Sequence, residues 1–376
     1  MFRIVFCFFV LLIGVSRPLF AEQKAEPITV TDLVGRTVTL QQPAQRFVIS
    51  EGRYVLTLGL LRPENPVKGL VGMMQPISWA YPDLERQVFE AHPEAKNIAL
   101  FGKQDASSVS VEKIIDLKPE LAIFGIQDHG PGSKNAELLM QLENAGIKVV
   151  FIDFRMQPLT NTVPSLKLMG KVLAAEDRVQ AYLDFYQEKY NQITAAVKNV
   201  SNKPSVFLQA HAGRFPCCVA MADGMLGPFV ELAGGTNIAD AVAPGPVSRH
   251  TMEFLLDKNP DVWIGTASGT RADFDAKKNM LSLGPGLNQN EARASLAAFL
   301  EPKEYQAMSA VAEGRAYGIW HDFYNSPLNI VALEAFAKWI HPERFPDADP
   351  EATVATLFST YLPYEWRGTA TVSLGK

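Results

Sequence analysis

One short stretch of this chain occurs twice, and the repetition constrains the fold more than any other feature. Residues 112–123 read EKIIDLKPELAI and residues 253–264 read EFLLDKNPDVWI. Glu112 aligns with Glu253, Ile114–Ile115 with Leu255–Leu256, Asp116 with Asp257, and Pro119 with Pro260. Glu120–Leu121 then aligns with Asp261–Val262, and Ile123 with Ile264. The offset is 141 residues in a chain of 376. Each copy predicts a short helix that starts beside a carboxylate, stops ahead of proline and leads into a buried strand. Two copies so far apart imply two similar lobes, and two lobes imply a cleft.

The flanking sequence extends the pattern. ITVTDLVGRTVTL (28–40) alternates around Gly35 and predicts a β-hairpin through Val30, Val34, Val38 and Leu40. RFVIS (46–50), VKGLVGM (67–73), ELAIFGI (120–126) and IKVVFIDF (147–154) predict strands. YVLTLGLL (54–61), residues 107–118 with Ser110 as N-cap, and AELLMQLENAG (136–146) with Gly146 at its end predict helices. Near-continuous apolar strands alternating with helices predict a parallel α/β sheet covered on both faces. From Asp177 to Val200 the apolar residues Val179, Tyr182, Leu183, Tyr186, Tyr190, Ile193 and Val197 recur at spacings of three and four. One long helix with an apolar face follows, placed as a strut between the lobes. The alternation resumes with VFLQA (206–210), MLGPFVELAGG (225–235), DVWIGT (261–266), GRAYGIW (314–320) and an amphipathic helix LNIVALEAFAKWI (328–340). Residues 268–295 are polar and Gly-rich and are expected to form a surface insertion.

The first 21 residues differ from the rest. Arg3 precedes an apolar run from Ile4 to Val15, and Leu-Phe-Ala (19–21) offers a cleavage point before Glu22. This pattern predicts a secretory signal peptide, with an uncleaved anchor as the alternative, and so an exported chain. Only Cys217 and Cys218 remain beyond it, adjacent residues that either close a vicinal disulfide or stay reduced. The formal net charge is −5, which provides no basic field for nucleic acid. The expected organisation is a signal peptide over 1–21, an N-terminal α/β lobe over 22–170, a connecting helix over 171–203 and a C-terminal α/β lobe over 204–376.

No G-x-S-x-G, P-loop, H-E-x-x-H or dinucleotide fingerprint is present. The clusters at 130–133 and 284–286 read as turns. The six histidines show no metal-ligand spacing, so His129, His211, His250 and His321 read as scattered loop residues and no metal site is assigned. Aromatic and basic residues near predicted strand ends carry more weight, because doubly wound lobes meet ligands there. Arg53, Trp79 and Tyr81 stand out in the first half, and Arg214, Arg271, Trp320 and Tyr324 in the second. Aromatic rings supply contact area, and guanidinium forks bind anionic oxygens.

Over nearly its whole length after residue 21, the chain resembles the substrate-binding proteins of ABC importers for iron–siderophore complexes, haem and vitamin B12, the helical-backbone or TroA-like class. The resemblance rests on the opening hairpin, P-x-x-RFVIS, SVEKIIDLKPELAIF, QLENAGIKVVFID, the long helix, VELAGGTNIAD, VSRHTMEFLLDKNPDVWIG and EGRAYGIW with SPLNIVALEAFAKWIHPERF. It implies two Rossmann-like α/β lobes joined by a single long helix, with the ligand between them and little hinge motion. It also implies a periplasmic, non-enzymatic monomer that carries no cofactor of its own. The cargo implied is a ferric siderophore, with vitamin B12, haem or another metal chelate as alternatives; an exported α/β enzyme is the reading outside the family. Haem binders of the class carry an axial Tyr before the first repeat, where this chain has ALFGKQDASS with Lys103. Residues 74–105 and 268–295 are longer than the family pattern. The class docks on a dimeric permease through one acidic residue per lobe, and the matching positions here are Glu112 and Glu253. Their local role is to complement a helix N-terminus, worth about 0.3–1 kcal/mol.

Overall fold

The computed structural model describes residues 26–375 apart from 104, 128 and 241–244; the expected signal peptide lies outside them. The hairpin forms as β1 (Ile28–Thr31) and β2 (Thr37–Leu40), antiparallel in register Val30 to Val38. Gly35 turns it at φ 82°, a left-handed conformation that glycine adopts without a Cβ clash. Val34 lies in the turn rather than in a strand, and is exposed.

Five strands follow: β3 (Phe47–Ile49), β4 (Leu70–Met73), β5 (Ala99–Leu100), β6 (Leu121–Gly125) and β7 (Lys148–Ile152). They pair in the order β5-β4-β3-β6-β7, all parallel. Every residue of β3 and β6 is buried, as the unbroken apolar runs require of strands covered on both faces. The second sheet uses β8 (Ser205–Gln209), β9 (Val219–Met221), β10 (Thr236–Asn237), β11 (Val247–Arg249), β12 (Val262–Ala267), β14 (Ala316–Trp320) and β16 (Thr371–Ser373). Its order is β11-β9-β8-β12-β14-β16, with β10 beside β8. β8, β12 and β14 are parallel; β9 runs antiparallel to β8, β11 antiparallel to β9, and β16 antiparallel to β14. A small ribbon pairs β13 (Gly284–Pro285) with β15 (Gly368–Thr369). In each sheet the chain reverses direction of travel at the centre, between β3 and β6 and between β8 and β12. Those are the topological switch points at which α/β sheets leave a crevice.

The long helix runs Glu176–Val197, 22 residues or roughly 33 Å. It buries Val179, Tyr182, Leu183, Tyr186 and Ile193. It packs against the helix Tyr54–Leu61 of the first lobe and the helix Ile330–Ile340 of the second. Polar anchors fix it: Tyr182 donates to the Pro327 carbonyl at 2.5 Å, Tyr186 to Asn329 Oδ1 at 2.9 Å, and Lys189 Nζ to Glu334 Oε1 at 2.7 Å. One apolar cluster runs from the first lobe through this helix into the second, and a smaller one covers the other face of the first sheet.

The structure adds and corrects elements. A second helix, Pro158–Leu173, directly precedes the long one, with Ala174 in the left-handed region between them. Pro164 and Gly170 interrupt its helical pattern in the sequence, and no separate element is predicted there. The helix Ile330–Ile340 is not amphipathic but buried at every residue except Lys338. The stretch 268–295 is not a bare surface insertion: it carries the helix Arg271–Asp275, strand β13 and the start of the helix Gln289–Leu300. Thr270 and Asn288 begin those helices as capping boxes with Asp273 and Glu291, a signature present in the sequence at the three-residue spacing.

Candidate functional site

The loops that leave the carboxyl ends of β3, β4, β6, β8, β12 and β14 converge on one cleft of about 750 Å³ between the lobes. The first lobe contributes Arg53 after β3, Trp79 after β4 and His129 after β6. The second contributes His211 and Arg214 after β8, Ser268 and Arg271 after β12, and Trp320 to Tyr324 at the end of β14. Parallel strands place these loops on one side of each sheet, so the topology gathers residues far apart in sequence.

The floor is a charged network buried across the two lobes. Glu51 and Arg53 have side chains 0% and 2% exposed, and Arg53 Nε lies 2.6 Å from Glu51 Oε2. His129 donates to Glu51 Oε1 through its backbone N–H at 3.0 Å and through Nδ1 at 2.8 Å, while Asn325 Nδ2 of the second lobe donates to Oε2 at 3.2 Å. Burial alone would raise the Glu51 carboxyl, but Arg53 and His129 hold it at about 2. The Arg53 guanidinium stacks over Trp79 at 4.9 Å and Tyr324 at 5.4 Å, one ring from each lobe. Its Nη1 is buried without a hydrogen-bond partner among the described residues, with Asp322 Oδ1 at 3.7 Å. Burial, with Glu51 nearby and against the pull of Arg53, raises Asp322 to about 6.

Two imidazoles form the opposite wall. The rings of His211 and His321 lie 3.6 Å apart at 32°. Burial, then Arg214 and Arg53, lowers His211 to about 4; burial, then His211 and Arg53, takes His321 well below its ordinary value. Both are therefore neutral near pH ~7. Thr266 Oγ1 accepts from the His211 backbone N–H at 2.9 Å and lies 2.8 Å from His321 Nδ1. The other ring nitrogen, His321 Nε2, is buried and without a hydrogen-bond partner among the described residues, as is His211 Nδ1.

The side walls come largely from the two stretches that exceed the expected pattern. Residues 79–86 and 268–286 supply 14 of the 24 residues that line the cleft, so these segments shape the site rather than decorate the surface. Arg86 pairs with Asp83 at 2.5 Å and Glu90 at 2.9 Å. Arg271 closes its fork on Asp275 at 2.8 and 3.1 Å and reaches Glu291 at 2.6 Å. Gly284, at φ 96°, lies where a Cβ would stand 2.4 Å from Trp320 Nε1, so only glycine lets this turn close against the indole.

Of the residues singled out in the sequence, Arg53, Trp79, Arg214, Arg271, Trp320 and Tyr324 line the cleft. Tyr81 does not: it is buried behind Trp320, ring centroids 5.5 Å apart, and donates to the Asp322 carbonyl at 3.3 Å, joining the lobes. Glu51, His129, His211, His321 and Asp322 complete the site. The histidines read as scattered in sequence because the lobes, not the spacing, bring them together; the available signal was that His211 and His321 each follow a strand end. His250 stays away from the cleft, bonded to Ser248 Oγ at 2.7 Å and stacked on Phe254. Among the described residues no group of three His, Cys, Asp or Glu forms a metal cage. Cys217 and Cys218 are joined as a vicinal disulfide across a cis peptide bond. Glu112 and Glu253 lie outside the cleft, exposed in the first turns of the helices Val111–Asp116 and Met252–Lys258. Ser110 and Thr251 cap those helices by accepting from the N–H groups of Lys113 and Phe254.

Known proteins share this architecture. The family model described as "Periplasmic binding protein" matches residues 86–322. No curated protein matches the chain in sequence. Among solved structures, the TroA-like periplasmic binding protein FepB from Veillonella parvula is 24% identical with a TM-score of 0.81, over 93% of this chain and 100% of that one. The molybdate-bound MolA of Haemophilus influenzae is 16% identical with a TM-score of 0.64, over 90% and 99%. A protein of the Fe3+-hydroxamate transport system of Saccharomonospora viridis is 18% identical with a TM-score of 0.53, over 84% and 99%. At these identities the likeness is one of fold, and it matches the two-lobed arrangement around the cleft.

Proposed function

The chain belongs to the periplasmic binding protein family, and on that premise we propose that it captures a ferric siderophore and delivers it to the permease of an ABC importer. It is a solute-binding protein of the ABC transporter class and not an enzyme. The observation that carries the siderophore reading is the cleft itself. About 750 Å³ lined by Trp79, Phe215, Trp320 and Tyr324, with guanidinium and imidazole groups between them, suits an organic chelate. A bare divalent ion needs a tight cage of three or more nitrogen or oxygen ligands instead. Kinship of fold with FepB and with a hydroxamate-transport protein supports the same reading.

On this reading the protein works as an exported monomer, with residues 1–21 as the export signal. Among the described residues no helix is long and apolar enough to cross a membrane. Glu112 and Glu253 face the permease, one carboxylate per lobe. Their exposure and their identical placement on capped helices support this role. The cargo is tested by quenching of tryptophan fluorescence, since Trp79 and Trp320 line the cleft. A ferric siderophore should bind in the micromolar range or tighter, and haemin, cyanocobalamin, Zn2+ and Mn2+ more weakly. Tight binding of one of those four with no ferric siderophore bound would overturn the siderophore assignment.

A further inference from the structure

Four guanidiniums line the cleft, but they are not four free positive charges. Arg271 is held by Asp275 and Glu291, Arg86 by Asp83 and Glu90, and Arg53 by Glu51. Arg214 alone has no carboxylate within ion-pair distance among the described residues, and it is exposed in the cleft. Three carboxylates, Asp83, Asp275 and Asp322, share the same lining. The two adjacent imidazoles add no countercharge, being held neutral by burial and by the neighbouring guanidiniums. What they add is an uncommitted polar atom: His321 Nε2, buried and unpartnered like Arg53 Nη1.

A ligand entering this cleft gives up hydration, and each charge it brings must be met by a group not already committed. A single anionic or strongly accepting edge is met by Arg214 and Arg53 Nη1, and by His321 Nε2 when the imidazole carries its hydrogen there. A multiply charged anion would instead confront the carboxylates, whose own partners are the guanidiniums it needs. We infer that the cleft selects a metal chelate of little or no net charge, which presents acceptor oxygens to the corner formed by Arg214, Arg53 and His321. This rests on the reading of the protein as a carrier of metal chelates, and it narrows the class: hydroxamate-type or similarly neutral chelates rather than triply anionic tris-catecholates.

The test compares probes by charge. Purified protein is titrated, by tryptophan quenching at low and at physiological salt, with ferrichrome (a neutral ferric hydroxamate), ferrioxamine B (singly cationic), ferric enterobactin (a triply anionic tris-catecholate) and cyanocobalamin (neutral). A neutral or singly charged chelate should bind at least about tenfold tighter than ferric enterobactin, and the gap should widen at low salt as repulsion is unscreened. Asp275→Asn removes an exposed carboxylate and frees one side of the Arg271 fork, so it should narrow the gap. Tighter binding of ferric enterobactin, or a gap that Asp275→Asn leaves unchanged, overturns the inference while leaving the carrier reading in place. Binding of cyanocobalamin alone upholds the charge rule and overturns the siderophore assignment. Binding of none overturns both.

Discussion

The two lobes match on the outside and differ where they face each other. Outside, each presents a carboxylate in the first turn of a short helix capped by a hydroxyl, Ser110 in one lobe and Thr251 in the other. Each helix is followed by a fully buried strand, β6 or β12. Inside, the first lobe offers a buried ion pair, Glu51 with Arg53, and the second a pair of neutral imidazoles, His211 with His321. A partner made of two like halves calls for equal surfaces, whereas an unsymmetrical ligand calls for unequal ones. On the proposed function, the difference separates docking from ligand capture on the same duplicated frame.

The outer match has the largest consequence. Replacing Glu112 and Glu253 together by alanine should reduce ferric siderophore uptake to background in vesicles carrying the importer, with ligand affinity of the free protein unchanged. Each single change should lose a similar part of the activity, as the proposed role of the two as equivalent docking sites requires. Neither should cost more than about 1 kcal/mol of stability, the worth of a helix-terminal charge. Uptake at the unaltered rate in the double variant would break the outer half of the comparison.

The inner difference is tested at its most buried member. Glu51→Gln leaves the Arg53 guanidinium, 2% exposed, without its countercharge and weakens the bond to His129. Removing one partner of a buried pair costs about 3–5 kcal/mol, and a clear fall in thermal midpoint by circular dichroism should follow. Exchanging both partners for similar-sized groups, Glu51→Gln with Arg53→Met, should cost less than Glu51→Gln alone. A single variant as stable as the parent would show that the floor does not depend on that pair.

The sequence made the repeated frame legible and left the inner face obscure. The apolar runs of β3, β6, β7, β8, β12 and β14 have no reading other than buried strands, and the three- and four-residue spacing from Val179 to Ile193 is that of one helix face. The short flanking strands β9 and β11 carry no comparable run, and the helix Pro158–Leu173 is masked by Pro164. Arg53, Trp79 and Trp320 were legible as residues at strand ends. Glu51 was not, since a carboxylate ahead of a helix looks solvated until Asn325 and His129 close over it. Arg271 was legible as a residue of the cleft but not as a neutralised one. Its partner Asp275 is four residues on along a helix, and Glu291 arrives from another helix through the fold.

The smallest effect, and the finest test of the inner asymmetry, is in pH. Glu51 and Asp322 both approach Arg53, at 2.6 and 3.7 Å, yet are shifted in opposite senses. Glu51 falls from 4.5 to about 2, so its stabilising contribution is present above its unfolded value and is lost as pH drops toward about 2. Asp322 rises from 3.8 to about 6, so between those values the folded protein binds more protons than the unfolded chain. Its effect has the reverse sign: stability falls as pH rises from about 4 through 6, by roughly 1–3 kcal/mol. Denaturant unfolding of the parent and of Asp322→Asn should therefore agree at about pH 4 and diverge at about pH 7, where the variant is the more stable. Equal stability at both pH values would mean that the shorter contact of Glu51 with Arg53 does not leave Asp322 undercompensated, and the two carboxylates would then have to share the guanidinium evenly.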